Sequence, residues 1–542
     1  MKGYAVSSDR RASSRFGADF PVKVEIKKPH CKPSIVCGRT VNVSRQGLSL
    51  ILDAPLPLSL PVALSLELSP SYPSLQTKAR VIWSNPLNKS KESYCGVQFL
   101  DLHDKNLATL DRVINDVIDK RKSCERRKGQ RRKEVAPIGF PERRKADQRL
   151  KVSILRKCVM TPRVDFLRAQ GVFLREVSSV AQPKIILRGR ELIMFGCCNY
   201  LGLTTHPKVK KAAAKALEKY GMSTSSSRIA GGTMEMHNLL EQKLAEFEEG
   251  EDCITYDMGY LANLGCIPAL VTRNDFVITD AKSHASIIDG CFLSGGTVLV
   301  YKHNDMQDLE KQLKKCKWKS NKLIVTDGVF SMDGDIAKLD VIYKLAQEHN
   351  AAVMVDDAHA VGVLGENGTG TCEHFNLRGK IDIVMGTLSK ALPGLGGFIV
   401  ARKQIVDYLR CTSRPFIFNL SLPPSIVAGV LAALEVIKEE PELRRKLWRN
   451  VKSLRENLQK LGYNTGNSEA AIIPVIIGND IKTYQMVRML EHLGVFVDAM
   501  VYPAVRKRES RLRLTPMATH SPDDLQKAIK IFEKAGRKLD LI

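Results

Sequence analysis

IDIVMGTLSKALPGLGGFIV (381–400) runs from an apolar strand through two hydroxyls and a lysine into glycines and a second apolar run. IDIVM suits a buried strand of a parallel sheet. Thr387, Ser389 and Lys390 then fall just beyond its carboxyl end, and Gly396 and Gly397 follow. Two more loops have the same build. AAVMVDDAH (351–359) places Asp356 after an apolar run and His359 three residues on, and KLIVTDGVFSMDGD (322–335) supplies Ser331 and Asp333. Ligands of open α/β sheets gather at the carboxyl ends of strands, so these three loops are expected to face one cleft.

Outward from that segment, helical and strand-like runs alternate from about residue 151 to the end. The helix HPKVKKAAAKALEKYG (206–221), the strand DFVITD (275–280) and the helix LDVIYKLAQEHN (339–350) are examples. Such alternation indicates α/β layers, with room for a large domain at about 200–430 and a smaller one from about 431. The first 118 residues differ. Short runs at 20–26, 34–44, 47–52, 62–69, 77–83 and 94–100, punctuated by Pro, Gly, Asn and Ser, predict a small barrel or sandwich. A helix is expected over 106–122, with Leu107, Leu110, Val113, Ile114 and Val117 on one face.

Charge marks the boundary between the two parts. The chain carries a formal +25, and residues 119–157 hold 16 Lys/Arg against 5 Asp/Glu, or +11 of that total. Two ERRK clusters around APIGFP read as a basic linker over 119–150, best explained as a solvated spacer. Peripheral contact with an anionic membrane is the second reading. No aromatic interleaving accompanies the charge, which argues against nucleic acid. The N-terminus has no apolar core to serve as an export signal. The greasiest stretch, 48–68, carries Asp53 and prolines at 55, 57 and 61, which suits strands rather than a membrane helix. Thirteen scattered cysteines without a CxxC pair are expected to be reduced thiols in the cytoplasm, and no metal site is expected.

The residue types around the cleft fit an aldehyde-bearing phosphorylated pyridine. A lysine amine such as Lys390 can hold the aldehyde covalently. A buried carboxylate such as Asp356 can keep the ring nitrogen protonated. Gly259, Thr387 and Ser389 offer a turn or helix start for phosphate, and Tyr260 or His284 a flat partner for the ring. Taken singly these residues have plain explanations: Lys390 as a surface lysine, Asp356 as a helix cap, His359 as a packed imidazole. Spacing alone leads to a nucleotide-, phosphate- or cofactor-binding α/β protein.

Residues 190–535 closely resemble the α-oxoamine synthases of PLP fold type I, the group of 8-amino-7-oxononanoate synthase, glycine C-acetyltransferase and serine palmitoyltransferase. The matching runs are NYLGL, STSSSRIAGGT with His237, DMGYLAN, SHASIIDG, VTDGVFSMDGD, VDDAHAVGVLGENGTG, IDIVMGTLSKAL and RLRLTPMATHSPDD, in the family's order. The resemblance implies a large, mainly parallel α/β domain and a small α/β domain that includes 151–199, pyridoxal 5'-phosphate as cofactor, and a homodimer. By the same resemblance, Lys390 carries the cofactor and moves the Cα proton, and Asp356 partners the ring nitrogen. His359, steadied by Ser331, faces the ring hydroxyl, and His284 stacks on the ring. Gly259 and Tyr260 supply backbone and Thr387 a hydroxyl for the phosphate, while Asn199 and Arg513 handle the substrate carboxylate.

One position departs from the pattern: Asn419-Leu420 stands where many members offer a hydroxyl to the neighbouring subunit's phosphate. The implied reaction is the decarboxylative condensation of glycine, alanine or serine with an acyl-CoA, with an aminotransferase as runner-up. MGTLSK and EHF lean towards the serine palmitoyltransferase branch, while YGMSTSSSR and GENG resemble glycine C-acetyltransferase.

The N-terminal part resembles a PilZ domain, whose signature is RxxxR plus [D/N]xSxxG. RRASSR supplies Arg11 and Arg15, with Arg10 beside them, and NVSRQG supplies Asn42, Ser44 and Gly47. That resemblance implies cyclic di-GMP as a ligand, gripped by paired arginines. A PilZ-like β-barrel on the same chain as an enzyme implies that the nucleotide modulates turnover.

Overall fold

The computed structural model describes the strands between residues 16 and 101 and residues 171–542 apart from 173, 318 and 319. Arg10, Arg11, Arg15, the helix expected over 106–122 and the basic tract 119–157 lie outside the described residues. The chain divides into two compact units, Met1–Val152 and Ser153–Ile542.

The first unit contains β1 (Phe16–Gly17), β2 (Pro21–Ile26), β3 (Ser34–Ser44), β4 (Gly47–Leu52), β5 (Pro61–Leu66), β6 (Leu75–Pro86) and β7 (Ser93–Asp101). β3 is long enough to serve two neighbours: its first half pairs with β2 and its second with β4. Pairing β3–β2–β5–β6–β7–β4 and back to β3 therefore closes a ring of antiparallel strands, with β1 added on β3. Closure leaves no open edge and decides for a barrel over a sandwich. Asn42 and Ser44 lie at the end of β3, where Ser44 pairs with Gly47, the first residue of β4.

In the second unit β8 (Lys184–Leu187) and β9 (Arg190–Met194) precede the large sheet. That sheet comprises β10 (Asp252–Tyr256), β11 (Phe276–Asp280), β12 (Thr297–Tyr301), β13 (Lys322–Asp327), β14 (Ala352–Asp356), β15 (Ile383–Ser389) and β16 (Pro393–Ala401). Its order is β10-β16-β15-β14-β13-β11-β12, and only β16 runs antiparallel to its neighbours. Alternate residues of one strand enter different cores. Val277, Val325 and Met354 join the core that also holds Ala262 and Ile287, while Ile278, Ile324, Val353 and Val355 join the one that holds Leu309 and Ile342. Helices thus cover both faces, which explains strands that are apolar throughout rather than alternating. It also fixes a direction. Asp356 follows Met354 on the same face, so its carboxylate points towards the helix Gly259–Leu270.

β17 (Ile473–Ile476), β19 (Asp498–Met500) and β20 (Arg511–Leu514) form a second, antiparallel sheet in which Arg513 stands opposite both Pro474 and Asp498. β18 (Val495–Phe496) runs parallel to β9, so the segment before the large sheet is stitched to the C-terminal region. The last helix, Pro522–Lys538, starts at a reciprocal cap in which Ser521 and Asp524 each accept the other's backbone N–H. Among the described residues no helix is long and apolar enough to cross a membrane.

Candidate active site

A cavity of about 310 Å³ opens at the carboxyl ends of β13, β14 and β15. Lys390, Asp356, His359, His284 and Asp327 line it, together with Gly259, Tyr260, Thr387, Ser389 and Gly396. The three loops singled out in the sequence therefore converge, with Ser331 and Asp333 set outside this lining.

Asp356 is buried among polar partners. One carboxylate oxygen accepts from Asn263 Nδ2 at 2.7 Å and the other from the Ala358 N–H at 3.0 Å. The same Asn263 amide donates to Ser286 Oγ at 2.8 Å, which ties the helix Gly259–Leu270 to the helix Ala285–Ser294. His284 caps the latter: its Nδ1 lies 2.7 Å from Ser286 Oγ, and its backbone N–H donates to Asp327 Oδ2 at 3.0 Å. Asp327 stands beside Asp356 in register on β13. Burial, and then the neighbouring Asp356 charge, push the Asp327 carboxyl well above the usual range.

His359 is buried, and its Nδ1 lies 2.8 Å from the Tyr200 hydroxyl, itself 1% exposed. Burial drives the His359 imidazole far below its ordinary range, and the charges of Lys390 and Arg513 add to this. The ring is therefore neutral at physiological pH. Burial likewise raises the Tyr200 phenol, so the pair is a neutral hydrogen bond between a phenol and an imidazole. Lys390 sits in the turn between β15 and β16. Burial lowers its amine, against the pull of Cys198, Asp356 and Asp327.

The far wall is built for close approach. The helix Gly259–Leu270 starts without a side-chain cap, leaving its first N–H groups directed at the cavity. Thr387 Oγ1 lies 2.8 Å from Ser389 Oγ and donates to the Gly396 carbonyl at 3.0 Å. A Cβ on Gly259 would stand 2.9 Å from Thr387 Oγ1, and one on Gly397 would stand 2.6 Å from Gly259 Cα. These glycines let β16, β15 and the helix start meet. Tyr260 lies at the rim, edge-on to His284 at 6.0 Å, and its hydroxyl donates to Asp289.

Three expected residues lie outside the cavity lining. The Asn199 amide is buried and donates to the Ala181 carbonyl at 3.0 Å and to Thr204 Oγ1 at 2.7 Å, outside the cavity lining. Ser331 offers its carbonyl to Arg513 at 3.5 Å, while the hydrogen bond to the His359 ring comes from Tyr200. Arg513 reaches from β20 to the large domain's edge, near enough for its charge to lower both Lys390 and His359. Tyr200, Asn263 and Asp327 were not singled out from the sequence. Each sits inside a quoted run, NYLGL, DMGYLAN and VTDGVF, but only the tertiary contacts reveal its partner.

A phosphorylated pyridine aldehyde fits these residues. An uncapped helix start with two hydroxyls suits phosphate, a buried acceptor suits a protonated ring nitrogen, and a buried amine suits the aldehyde. The comparisons agree. Residues 190–532 match the aminotransferase class I and II family, and residues 9–116 match the PilZ domain. An 8-amino-7-oxononanoate synthase of Thermoanaerobacter pseudethanolicus is 47% identical over 383 residues, 70% of this chain and 97% of its own length. A serine palmitoyltransferase of Sphingobacterium spiritivorum is 42% identical over 378 residues, 69% of this chain and 95% of its own. Among solved structures, a serine palmitoyltransferase from S. paucimobilis with bound PLP–myriocin aldimine aligns with a TM-score of 0.68 and 36% identity, covering 70% of this chain and 96% of that one. The chain belongs to the PLP-dependent α-oxoamine synthases, enzymes of the class I and II aminotransferase family, and carries a PilZ domain ahead of the catalytic part.

Proposed function

We propose that the protein condenses a small amino acid with an acyl-CoA, releasing CoA and CO2 and leaving an α-aminoketone. The observation that carries this reading is the shared cavity of Lys390, Asp356 and His359, with the lysine amine depressed by burial. PLP, when bound, supplies an electron sink for the charge that develops at the amino acid's Cα. Lys390 takes the Cα proton, for which a lowered amine is the right base at neutral pH. Asp356, oriented by Asn263, holds the proton on the ring nitrogen. With the Tyr200 hydroxyl at His359 Nδ1, His359 Nε2 would be left to face the ring oxygen. His284 would offer its flat face to the ring. The N–H groups of Gly259 and Tyr260, with Thr387 and Ser389, would hold its phosphate. Arg513 and Asn199 would handle the substrate carboxylate, and Arg513 with His284 would set the pose of the bond to be broken.

Serine with a long acyl chain is the favoured pair. The second reading comes from the more similar synthase. The name 8-amino-7-oxononanoate describes an alanine-derived carbon pair joined to a seven-carbon dicarboxylic acyl group. Incubating the enzyme with acyl-CoAs of graded length against glycine, alanine and serine, and reading product masses, separates the two. Nitrogen transfer to a keto acid without CoA release would instead indicate an aminotransferase.

Three further assignments belong with this reading. A homodimer is supported by apolar side chains left open around the cavity mouth, including Met258, Tyr260 and Leu395 in its lining, and by Phe418 and Leu420 at 73% and 57% exposure. Cyclic di-GMP is the ligand of the barrel, through Arg10, Arg11, Arg15, Asn42, Ser44 and Gly47, a reading supported by the PilZ match. A cytoplasmic location is supported by the eight free cysteines among the described residues.

A further inference from the structure

A second cavity, of about 260 Å³, has a lining of its own, one stretch of which ends at the residue before His284 of the first. Lys282 and Ser283 line it immediately before His284, and Met332 and Asp333 immediately after Ser331. Its outer wall is the loop Tyr502–Arg506, with Phe330 on the inner side. The charges inside are matched. Arg511, 2% exposed, pairs with Asp333 at 2.7 Å and with Glu509 at 3.3 Å, and Lys282 reaches Asp333 at 3.0 Å. Burial works against the Asp333 carboxylate, but Arg511 and Lys282 hold it below the usual range, so that pairing is already satisfied.

The loop's own charges are not matched. Arg506, Lys507 and Arg508 are consecutive and exposed, and none of them forms an ion pair with a carboxylate among the described residues. Lys507 lies only over the Tyr502 ring, at 5.7 Å. Arg508 moreover has φ +69°, a left-handed conformation that favours glycine and costs a side chain of this kind on the order of 1 kcal/mol. A cation kept at a position glycine would fill more easily points to work for the charge.

We propose that this cavity receives the acyl donor, with the phosphates of its coenzyme A end against Arg506, Lys507 and Arg508. The thioester arm then passes Phe330 and Tyr502 towards His284 and Lys390. The site rests on the acyl-CoA reading above and adds where the donor is recognised. Three cations at the surface suit a multiply charged phosphate group, and guanidinium forks bind phosphate oxygens in pairs. Because the loop is exposed, the interaction is screened by salt.

The test uses the full-length holoenzyme and the double variant R506Q/R508Q, in which both changes are at exposed positions. KM for acyl-CoA is expected to rise about tenfold or more at low salt, the loss of one or two charged hydrogen bonds. At saturating donor kcat stays within about twofold, and amino-acid binding, read from the cofactor's visible spectrum, is unchanged. CoA alone, titrated by calorimetry, binds the variant correspondingly more weakly. An acyl-pantetheine thioester, which lacks every phosphate, is turned over equally by both proteins. An unchanged KM and CoA affinity in the variant overturns the site, as does an equal loss on acyl-pantetheine. If the wild-type enzyme binds CoA but releases none from any acyl-CoA, the reading of the reaction fails while the phosphate site stands.

Discussion

At the scale of single residues the chemistry rests on groups held in one protonation state by burial. Lys390→Ala removes the only amine in the cavity lining, so the visible band of the lysine-bound cofactor disappears and turnover falls by at least about 10³-fold. Tyr200→Phe is subtler. Its hydroxyl meets His359 Nδ1 at 2.8 Å in a dry environment, and its removal leaves that nitrogen unpaired. A loss of about tenfold in kcat is expected with the cofactor still bound, together with a shifted pH–rate profile. A loss of fold with no such shift would mean that Tyr200 only packs. Lys390, Asp356, His359 and Thr387 were legible from the sequence because each follows an apolar run by a fixed short step. Tyr200 and Asn263 were not, since their partners lie 159 and 93 residues away.

At the scale of elements the site depends on how closely β16 approaches the helix that starts at Gly259. Gly397→Ala places a Cβ 2.6 Å from Gly259 Cα, where only backbone can yield. Destabilisation of about 1–3 kcal/mol and weaker PLP retention are expected, measured by denaturant unfolding and by dialysis against buffer without cofactor. Beyond the ends of β11 and β12, His303 bridges Asp280 and Asp335, both at 2.9 Å. Burial alone would lower this imidazole, but hydrogen bonds and charge from Asp280 and Asp335 raise it to about 9. The folded pKa exceeds the unfolded value of 6.5, so the bridge contributes fully below 6.5 and is lost as pH rises through about 9. The Tm gap between wild type and His303→Gln should accordingly be wide at about pH 6 and nearly closed at about pH 10. A gap independent of pH would assign His303 to packing alone.

At the scale of the whole molecule, two compact units share one chain. If the barrel regulates the enzyme, cyclic di-GMP changes turnover of the full-length protein at limiting substrate. Substituting Asn42 and Ser44 together with alanine abolishes that response without changing basal turnover. Equal rates with and without the nucleotide, at both limiting and saturating substrate, would remove the coupling. Sedimentation of the full-length protein tests the dimer, and Phe418→Ser with Leu420→Ser is expected to shift it towards monomer.

The sequence by itself determined the layers, the strands that carry the chemistry and the family. Hydrophobic period and turn residues are local properties, and the quoted runs survive as contiguous motifs. Six apolar runs likewise foretold the barrel strands, within a few residues at most of their ends. Only the tertiary structure decided that β3 serves both β2 and β4 and so closes a barrel rather than a sandwich. It also placed the Asn199 amide against its own loop, gave His359 to Tyr200 rather than Ser331, and set a surplus of cations beside the loop of His284. Those outcomes depend on which distant side chains share a buried space and which charges find partners. No periodicity along the chain records that.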